Sequence, residues 1–338
     1  MTDSTAEPLA AKTALAGDWR VWLADNLVHG IPADEMLGVL ESNGVARDLG
    51  MAEIAAIQAS TAFAVARAQA LRAARLEQVL QLVRARAAVR SIERRLDPPP
   101  GEFFARYWAA GIPFVATDVV TRWPALARWS PQWFREHYGE VEIEASVGRE
   151  ADPDYDINFA AHRQRLTMAA YVERVLDTTA SNDCYLIANN HNLARPGLCG
   201  LFDDITVPPY LDPDRLVGSS ALWFGPTGTT TSLHHDTSNI LFCQVYGRKR
   251  VLLGDPCDSA MIEHCRGVYC DLDPATAAQD LPSAGPRLFT VELGPGDALF
   301  IPVGWWHHVV AHDVSISIGL NGFRRPNRFE WYKPGALR

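Results

Sequence analysis

The spacing of apolar residues changes character near residue 96. Between about residues 18 and 95 the chain is rich in Ala, Leu, Arg and Glu, with few glycines. Helices fit Trp19 to Leu27, Ala33 to Glu41 and Met51 to Ile57, followed by a long Ala/Arg stretch from about Ser60 to Arg95. In that stretch Leu76, Val79, Leu80 and Val83 recur at i, i+3, i+4 and i+7, the stripe of an amphipathic helix. Beyond Leu96-Asp97-Pro98-Pro99-Pro100-Gly101 the pattern becomes short Val, Ile, Phe and Leu runs punctuated by Gly, Pro, Asn and Asp. Strands are predicted at Val141 to Ala145, Ile240 to Tyr246, Lys249 to Leu253, Leu288 to Leu293 and Ala298 to Val303. Gly294-Pro295-Gly296 marks a turn before the strand that leads to Trp305. Many short strands with such turns suit a sandwich, a barrel or a double-sheet jelly roll. The expected fold class is α+β: a helical region over residues 1–96 and a β-rich domain over residues 97–338.

Composition narrows the partners. The net charge of -9 offers no general basic excess for neutralising phosphates, so no nucleic acid is expected. Between Ala66 and Arg95 eight arginines face two glutamates. That strip reads as a solvated face, with a homodimer contact through the N-terminal helices or a docking surface for an acidic partner as alternatives. Met1 to Glu7 is polar and acidic, unlike a secretory signal, and no apolar run approaches the ~18 residues of a membrane span. A cytoplasmic protein without membrane contact is the expectation. The six cysteines, at 184, 199, 243, 257, 265 and 270, include no CxxC pair, which argues against a disulfide framework or zinc ribbon. His264, Cys265 and Cys270 lie close enough in sequence to bind a soft metal, although such residues near a loop are more often structural.

Two segments carry the chemistry. If Leu233 to Thr237 is a strand or strand end, His234 and Asp236 share one face and His235 points away. His307 ends the apolar run Leu299 to Trp306, where a histidine must be paired, hydrogen-bonded or metal-bound. A satisfied core histidine is the alternative, and His308 falls on the opposite face. Two imidazoles and one carboxylate are the ligand set of the facial triad that holds non-haem Fe(II) and leaves positions open. Gly247-Arg248-Lys249-Arg250 fits a hairpin that directs one cation inward, where it could anchor the distal carboxylate of a small dicarboxylate. A solvated basic turn is the other reading, and the one that suits Arg248 and Arg250.

These residues carry a family resemblance. Leu233-His234-His235-Asp236, Gln244 to Arg250, Pro295-Gly296-Asp297-Ala298-Leu299-Phe300-Ile301-Pro302 and Trp305-Trp306-His307-His308 resemble the JmjC, cupin-like 2-oxoglutarate oxygenases, including the bacterial cupin-like group. Gly111 to Val115, Trp123 to Leu126 and Trp133 to Gly139 are similar to the start of that domain, so the likeness runs from about Glu102 to Phe323. It implies a double-stranded β-helix with Fe(II) on His234, Asp236 and His307. It also implies Lys249 on the 2-oxoglutarate 5-carboxylate, helped by the Thr231 hydroxyl. Tyr185 falls where many members place a tyrosine over the co-substrate, with half-buried core packing as its alternative role. Asn321 falls where some members supply an amide near the active site. One departure is Ile240, with Asn239 beside it, seven residues before Gly247 where members often carry asparagine.

The activity implied is O2-dependent hydroxylation with 2-oxoglutarate as co-substrate and succinate and CO2 as co-products. An amino-acid side chain in a protein or peptide is the expected target. A small-molecule or natural-product tailoring hydroxylase shares every motif. A non-catalytic cupin-like binding module would be favoured by loss of a ligand or of Lys249, and neither is lost. Cupin-type isomerases usually use more histidines and need no inward lysine.

Overall fold

The computed structural model describes residues 15–86, 89–274 and 288–329; the polar N-terminal heptapeptide lies outside them. The chain divides into two compact units at Val83/Arg84, not at residue 96. The boundary moves because Glu93–Arg95 pairs in parallel with Phe114–Ala116, which ties this stretch to the β-rich unit.

The first unit holds α1 (Gly17–His29), α2 (Ala33–Ser42), α3 (Arg47–Gln58) and α4 (Thr61–Arg86). Leu23, Leu27, Met36, Leu37, Leu40 and Ile54 form its small core, and Phe63 at the start of α4 packs against it. Gly50 lets α3 sit close to α2, since a Cβ there would lie 2.8 Å from Leu37. The predicted stripe of α4 is mostly uncovered: Leu76, Val79 and Val83 are exposed and Leu80 is half-buried. Its periodicity is real, but the described residues of this unit supply no core for it. No single helix among the described residues is long and apolar enough to cross a membrane. Only α3 and the start of α4 together meet that composition, across a 75° bend.

The second unit contains fifteen strands among the described residues. They are β1 (Glu93–Arg95), β2 (Phe114–Ala116), β3 (Glu142–Val147), β4 (Arg163–Thr167), β5 (Cys184–Tyr185), β6 (Ser220–Gly225), β7 (Thr230–His235) and β8 (Ile240–Tyr246). Then follow β9 (Lys249–Gly254), β10 (Cys265–Arg266), β11 (Tyr269–Cys270), β12 (Leu288–Leu293), β13 (Ala298–Ile301), β14 (Trp306–Ala311) and β15 (Ser315–Leu320). One six-stranded sheet runs β1-β2-β13-β8-β15-β6 and the other β10-β11-β7-β14-β9-β12, with β4-β3-β5 as a small third sheet. Val115, Ile240, Phe242 and Leu299 of the first sheet pack against Val251, Leu253, Val291 and Val309 of the second, the two-sheet core of a jelly roll. The first sheet is covered on its other face too. Leu241, Cys243 and Val245 pack among Phe134 of α5 (Pro131–Tyr138) and Tyr171 and Val175 of α6 (Met168–Asp177). Burial on both faces explains why Ile240–Val245 reads as an unbroken buried run rather than an alternation. Pro302 ends β13 two residues before the predicted limit, because proline has no N–H for the ladder.

The turn from β8 to β9 depends on Gly247, at φ +69, where a Cβ would sit 2.1 Å from the Val314 carbonyl oxygen. Gly247→Ala should therefore destabilise the β-rich unit by on the order of 3 kcal/mol, read as a lowered urea midpoint. An unchanged midpoint would show that the turn can relax.

Candidate metal centre and anion pocket

His234 on β7 and His307 on β14 are direct cross-strand neighbours, and their rings lie 4.1 Å apart between centroids. Asp236, just past the end of β7, places Oδ1 3.9 Å from His234 Nε2 and Oδ2 3.7 Å from His307 Nε2. Its carbonyl accepts from the Gly304 N–H at 3.2 Å, which ties the end of β7 to the turn before β14. One donor atom from each of the three residues falls within 4.8 Å of the others. His234 Nδ1 bonds the Ser232 carbonyl at 2.8 Å, and His307 Nδ1 bonds the Trp305 carbonyl at 3.0 Å. A carbonyl only accepts, so each Nδ1 carries a proton and each Nε2 is turned toward Asp236. Burial pushes His307 down to about 4, which keeps it a neutral imidazole near pH 7. Two imidazoles and one carboxylate, converging at the edge of a cavity, are a donor set that fits a divalent transition metal with open positions.

The neighbouring histidines take other places. His235 stacks edge-on against Trp306 at 4.7 Å and lines the same cavity but stands outside the three-residue cluster. His308 turns to the other face of the second sheet, into a polar cavity of about 250 Å³ beside Asp154, Arg266 and Asp271. Among the described residues the His234–Asp236–His307 group is the one cluster able to hold a metal, so His264, Cys265 and Cys270 do not form a soft-metal site.

The cavity at the triad has a volume of about 320 Å³ and is walled by Trp223, Ile240, Phe242, Ile301 and Val309. Behind it lies Lys249, fully buried on β9. Its Nζ donates to the Tyr185 hydroxyl at 3.0 Å and lies 5.2 Å from the Phe242 ring. Among the described residues no carboxylate pairs with it, and desolvation pulls its ammonium down to about 7. The flanking arginine behaves differently, since Arg248 is exposed and bidentate to Asp313 at 2.7 and 3.2 Å. Tyr185 is fully buried, and its hydroxyl also meets the hydroxyls of Thr231 and Thr229. Gly225 makes room for the ring, because a Cβ there would lie 2.6 Å from it. Buried Tyr185 and Lys249 thus gather with half-buried Thr231 into one polar corner.

Arg149 and Asp156 were not predicted from sequence. Arg149 is fully buried, stacks over Tyr155 at 4.3 Å and over Tyr185 at 5.2 Å, and donates to Asp156 at 3.0 Å and the Thr230 carbonyl at 2.9 Å. Asp156 in turn accepts from the Ser232 N–H at 2.8 Å. This pair stitches an irregular loop to β7 and braces Tyr185. No periodicity marks it, and the run Asp152-Pro153-Asp154-Tyr155-Asp156 reads as an ordinary acidic loop.

Asn321 takes a different place from the one expected. It does not line the cavity, and its Nδ2 donates to Ser238 Oγ at 3.2 Å. Asn239 is also structural: its Oδ1 accepts from the Val303 N–H and its Nδ2 donates to Asn327, both near 2.9 Å. Ile240, beside it, gives the cavity an apolar wall where an asparagine was the family expectation.

Comparison with known proteins agrees with this geometry. A family model described as "Cupin-like domain" matches residues 100–323. The Drosophila melanogaster "Jumonji C domain-containing protein 5" is 27% identical over 240 residues, covering 67% of this chain and 58% of that protein. The Xenopus tropicalis "Lysine-specific demethylase 8" is 25% identical over 241 residues, 67% of this chain and 52% of that one. The human "Bifunctional peptidase and (3S)-lysyl hydroxylase JMJD7" is 26% identical over 261 residues, 67% and 82% respectively. The chain therefore spans little more than half the length of the first two relatives. The matched segment covers about two thirds of the chain and contains the triad, Tyr185 and Lys249, and the chain belongs to the cupin-like (JmjC) domain family.

Proposed function

We propose that the protein is an Fe(II)- and 2-oxoglutarate-dependent oxygenase that hydroxylates an amino-acid side chain of a protein or peptide. The observation that carries this reading is Lys249, a buried lysine that pairs with no carboxylate among the described residues, set behind the same cavity that the three-donor cluster faces. His234, Asp236 and His307 would hold the iron, and Lys249, Tyr185 and Thr231 would receive the distal carboxylate of 2-oxoglutarate. Iron with bound 2-oxoglutarate supplies the O2 activation that C–H hydroxylation requires. The chain's own part is to hold both imidazoles in one tautomer, neutralise a dicarboxylate and exclude water with Trp223, Phe242, Ile301 and Val309. A protein target is favoured over a small molecule by the names of the relatives, one a lysyl hydroxylase and another a lysine-specific demethylase. The test is succinate formation from 2-oxoglutarate under O2 by iron-loaded protein, followed by a search for a +16 Da shift (about one oxygen atom) in lysate peptides. No succinate at any iron loading would sink the reading.

Lys249 adds a pH dependence. Burial keeps its pKa near 7 in the free pocket, whereas a bound carboxylate favours the ammonium. Above pH 7, binding must therefore take up a proton. The 2-oxoglutarate affinity is expected to be flat below about pH 7 and to fall by up to about tenfold per unit above it. Calorimetry at pH 8 in buffers of different ionisation heat checks this, and heats that do not depend on the buffer would refute it. The dimer expectation rests on the exposed α4 stripe, and a monomeric light-scattering mass of the full chain would dismiss it.

A further inference from the structure

The two short strands β10 and β11 form a hairpin at the edge of the second sheet, with Gly267-Val268 as its turn. Gly267 at φ +69 supplies the conformation that a two-residue hairpin needs at its first turn position. Arg266 pairs with Tyr269 across the turn, and Cys265 directly opposes Cys270. One step further on, the Asp271 N–H donates to the His264 carbonyl at 3.0 Å. Hydrogen-bonded and non-bonded pairs alternate in an antiparallel ladder, so Cys265–Cys270 occupies a non-bonded pair, where Cα atoms approach to about 4.5 Å. That separation lies inside the range a disulfide spans without backbone movement. Both residues are free thiols, and each is near enough for Cys265 to perturb Cys270 electrostatically. Cys265 is exposed and Cys270 buried, the arrangement of an attacked and a resolving sulfur.

The hairpin also belongs to the wall of the cavity at the triad. Val268 and Tyr269 line it, the Val268 carbonyl accepts from the His235 N–H at 2.9 Å, and Tyr269 registers opposite His234 with its ring 6.0 Å away. The Tyr269 hydroxyl donates to the Asp156 carbonyl at 2.9 Å. We propose that Cys265 and Cys270 close as a reversible disulfide that locks this hairpin at the lip of the cavity. With a hydroperoxide as oxidant, the Cys265 thiolate attacks the O–O bond, becoming a sulfenic acid and releasing the alcohol or water. Cys270 sulfur then attacks Cys265 sulfur and displaces water, so two thiols and one hydroperoxide give one disulfide, one alcohol and one water. A dithiol reductant reverses the change.

Trypsin supplies the test, because it cuts at Arg266, between the two cysteines. After peroxide treatment of the full chain, residues 251–266 and 267–287 should stay joined until reduced, with a mass about 2 Da below the sum of the two thiol peptides. The first peptide also contains Cys257, so Cys257→Ser must keep the link and Cys265→Ser must abolish it. Separate peptides bearing sulfinic acid at Cys265, or a link lost in Cys257→Ser, would overturn the proposal. The lock is read by hydrogen–deuterium exchange, which should slow several-fold at residues 267–270 in oxidised wild type and not in peroxide-treated Cys265→Ser. Equal exchange in the two would overturn it.

Discussion

His307→Ala is expected to leave the protein unable to retain iron and to lower succinate formation by at least about a thousandfold, the scale of removing metal-based charge stabilisation. The effect is large because the donor set is minimal. His234 and Asp236 alone would hold a divalent ion through two protein atoms, one of them on an aspartate side chain that is about one third exposed. His307 supplies the buried donor, with its Nε2 toward Asp236 and its Nδ1 committed to the Trp305 carbonyl. Metal analysis of the purified variant after dialysis reads the prediction, with circular dichroism confirming the fold. His308→Ala is the matched control, since that ring faces the opposite side of β14 and should keep iron. Iron at wild-type stoichiometry in His307→Ala would remove His307 from the ligand set.

Lys249→Met should separate co-substrate binding from stability. The variant keeps the three residues of the cluster but loses the buried amine that no described carboxylate pairs with, which costs about 2–5 kcal/mol, or roughly thirtyfold to a few thousandfold in 2-oxoglutarate affinity. Its stability should rise by a few kcal/mol, because a buried ammonium without a counter-ion is replaced by an apolar chain of similar length. The sign follows from the depressed pKa. Above the ordinary lysine value of 10.5 the side chain is neutral in both states and costs nothing by this route. Between 10.5 and about 7 the unfolded chain takes up a proton that the folded one refuses, so stability falls with pH; below 7 the loss is complete. The gain in Lys249→Met over wild type should therefore be largest at and below neutral pH and shrink toward pH 10. Thermal melts across that range, beside titration calorimetry, check both halves. A less stable variant with unchanged affinity would contradict the assignment.

Strand parity made part of the donor set legible from sequence. His307 was separable from His308, which opens into a different cavity, because alternate residues of a strand face opposite sides, whereas His235, at the end of β7, lines the same cavity as His234 and Asp236. Lys249 was legible because a glycine turn between two apolar runs fixes which residue of Arg248-Lys249-Arg250 turns inward. The Arg149–Asp156 brace was not, because a loop without period gives no face to its side chains. Asn321 was misplaced for a related reason. At the end of β15 it leaves the ladder, and its amide is claimed by Ser238 instead of the cavity. The stripe of α4 was read correctly as a helix period, but periodicity says nothing of what covers the face.

His234 and His307, two of the three candidate donors, stand on adjacent strands, so backbone hydrogen bonding sets their separation, while Asn189, Val268 and Tyr269 line the same cavity from other segments. Under the proposed function, substitution at Asn189, which lies off both strands, would change what the cavity admits without moving His234 or His307, whereas Val268 and Tyr269 pair with β7 and would pass a change on to His234.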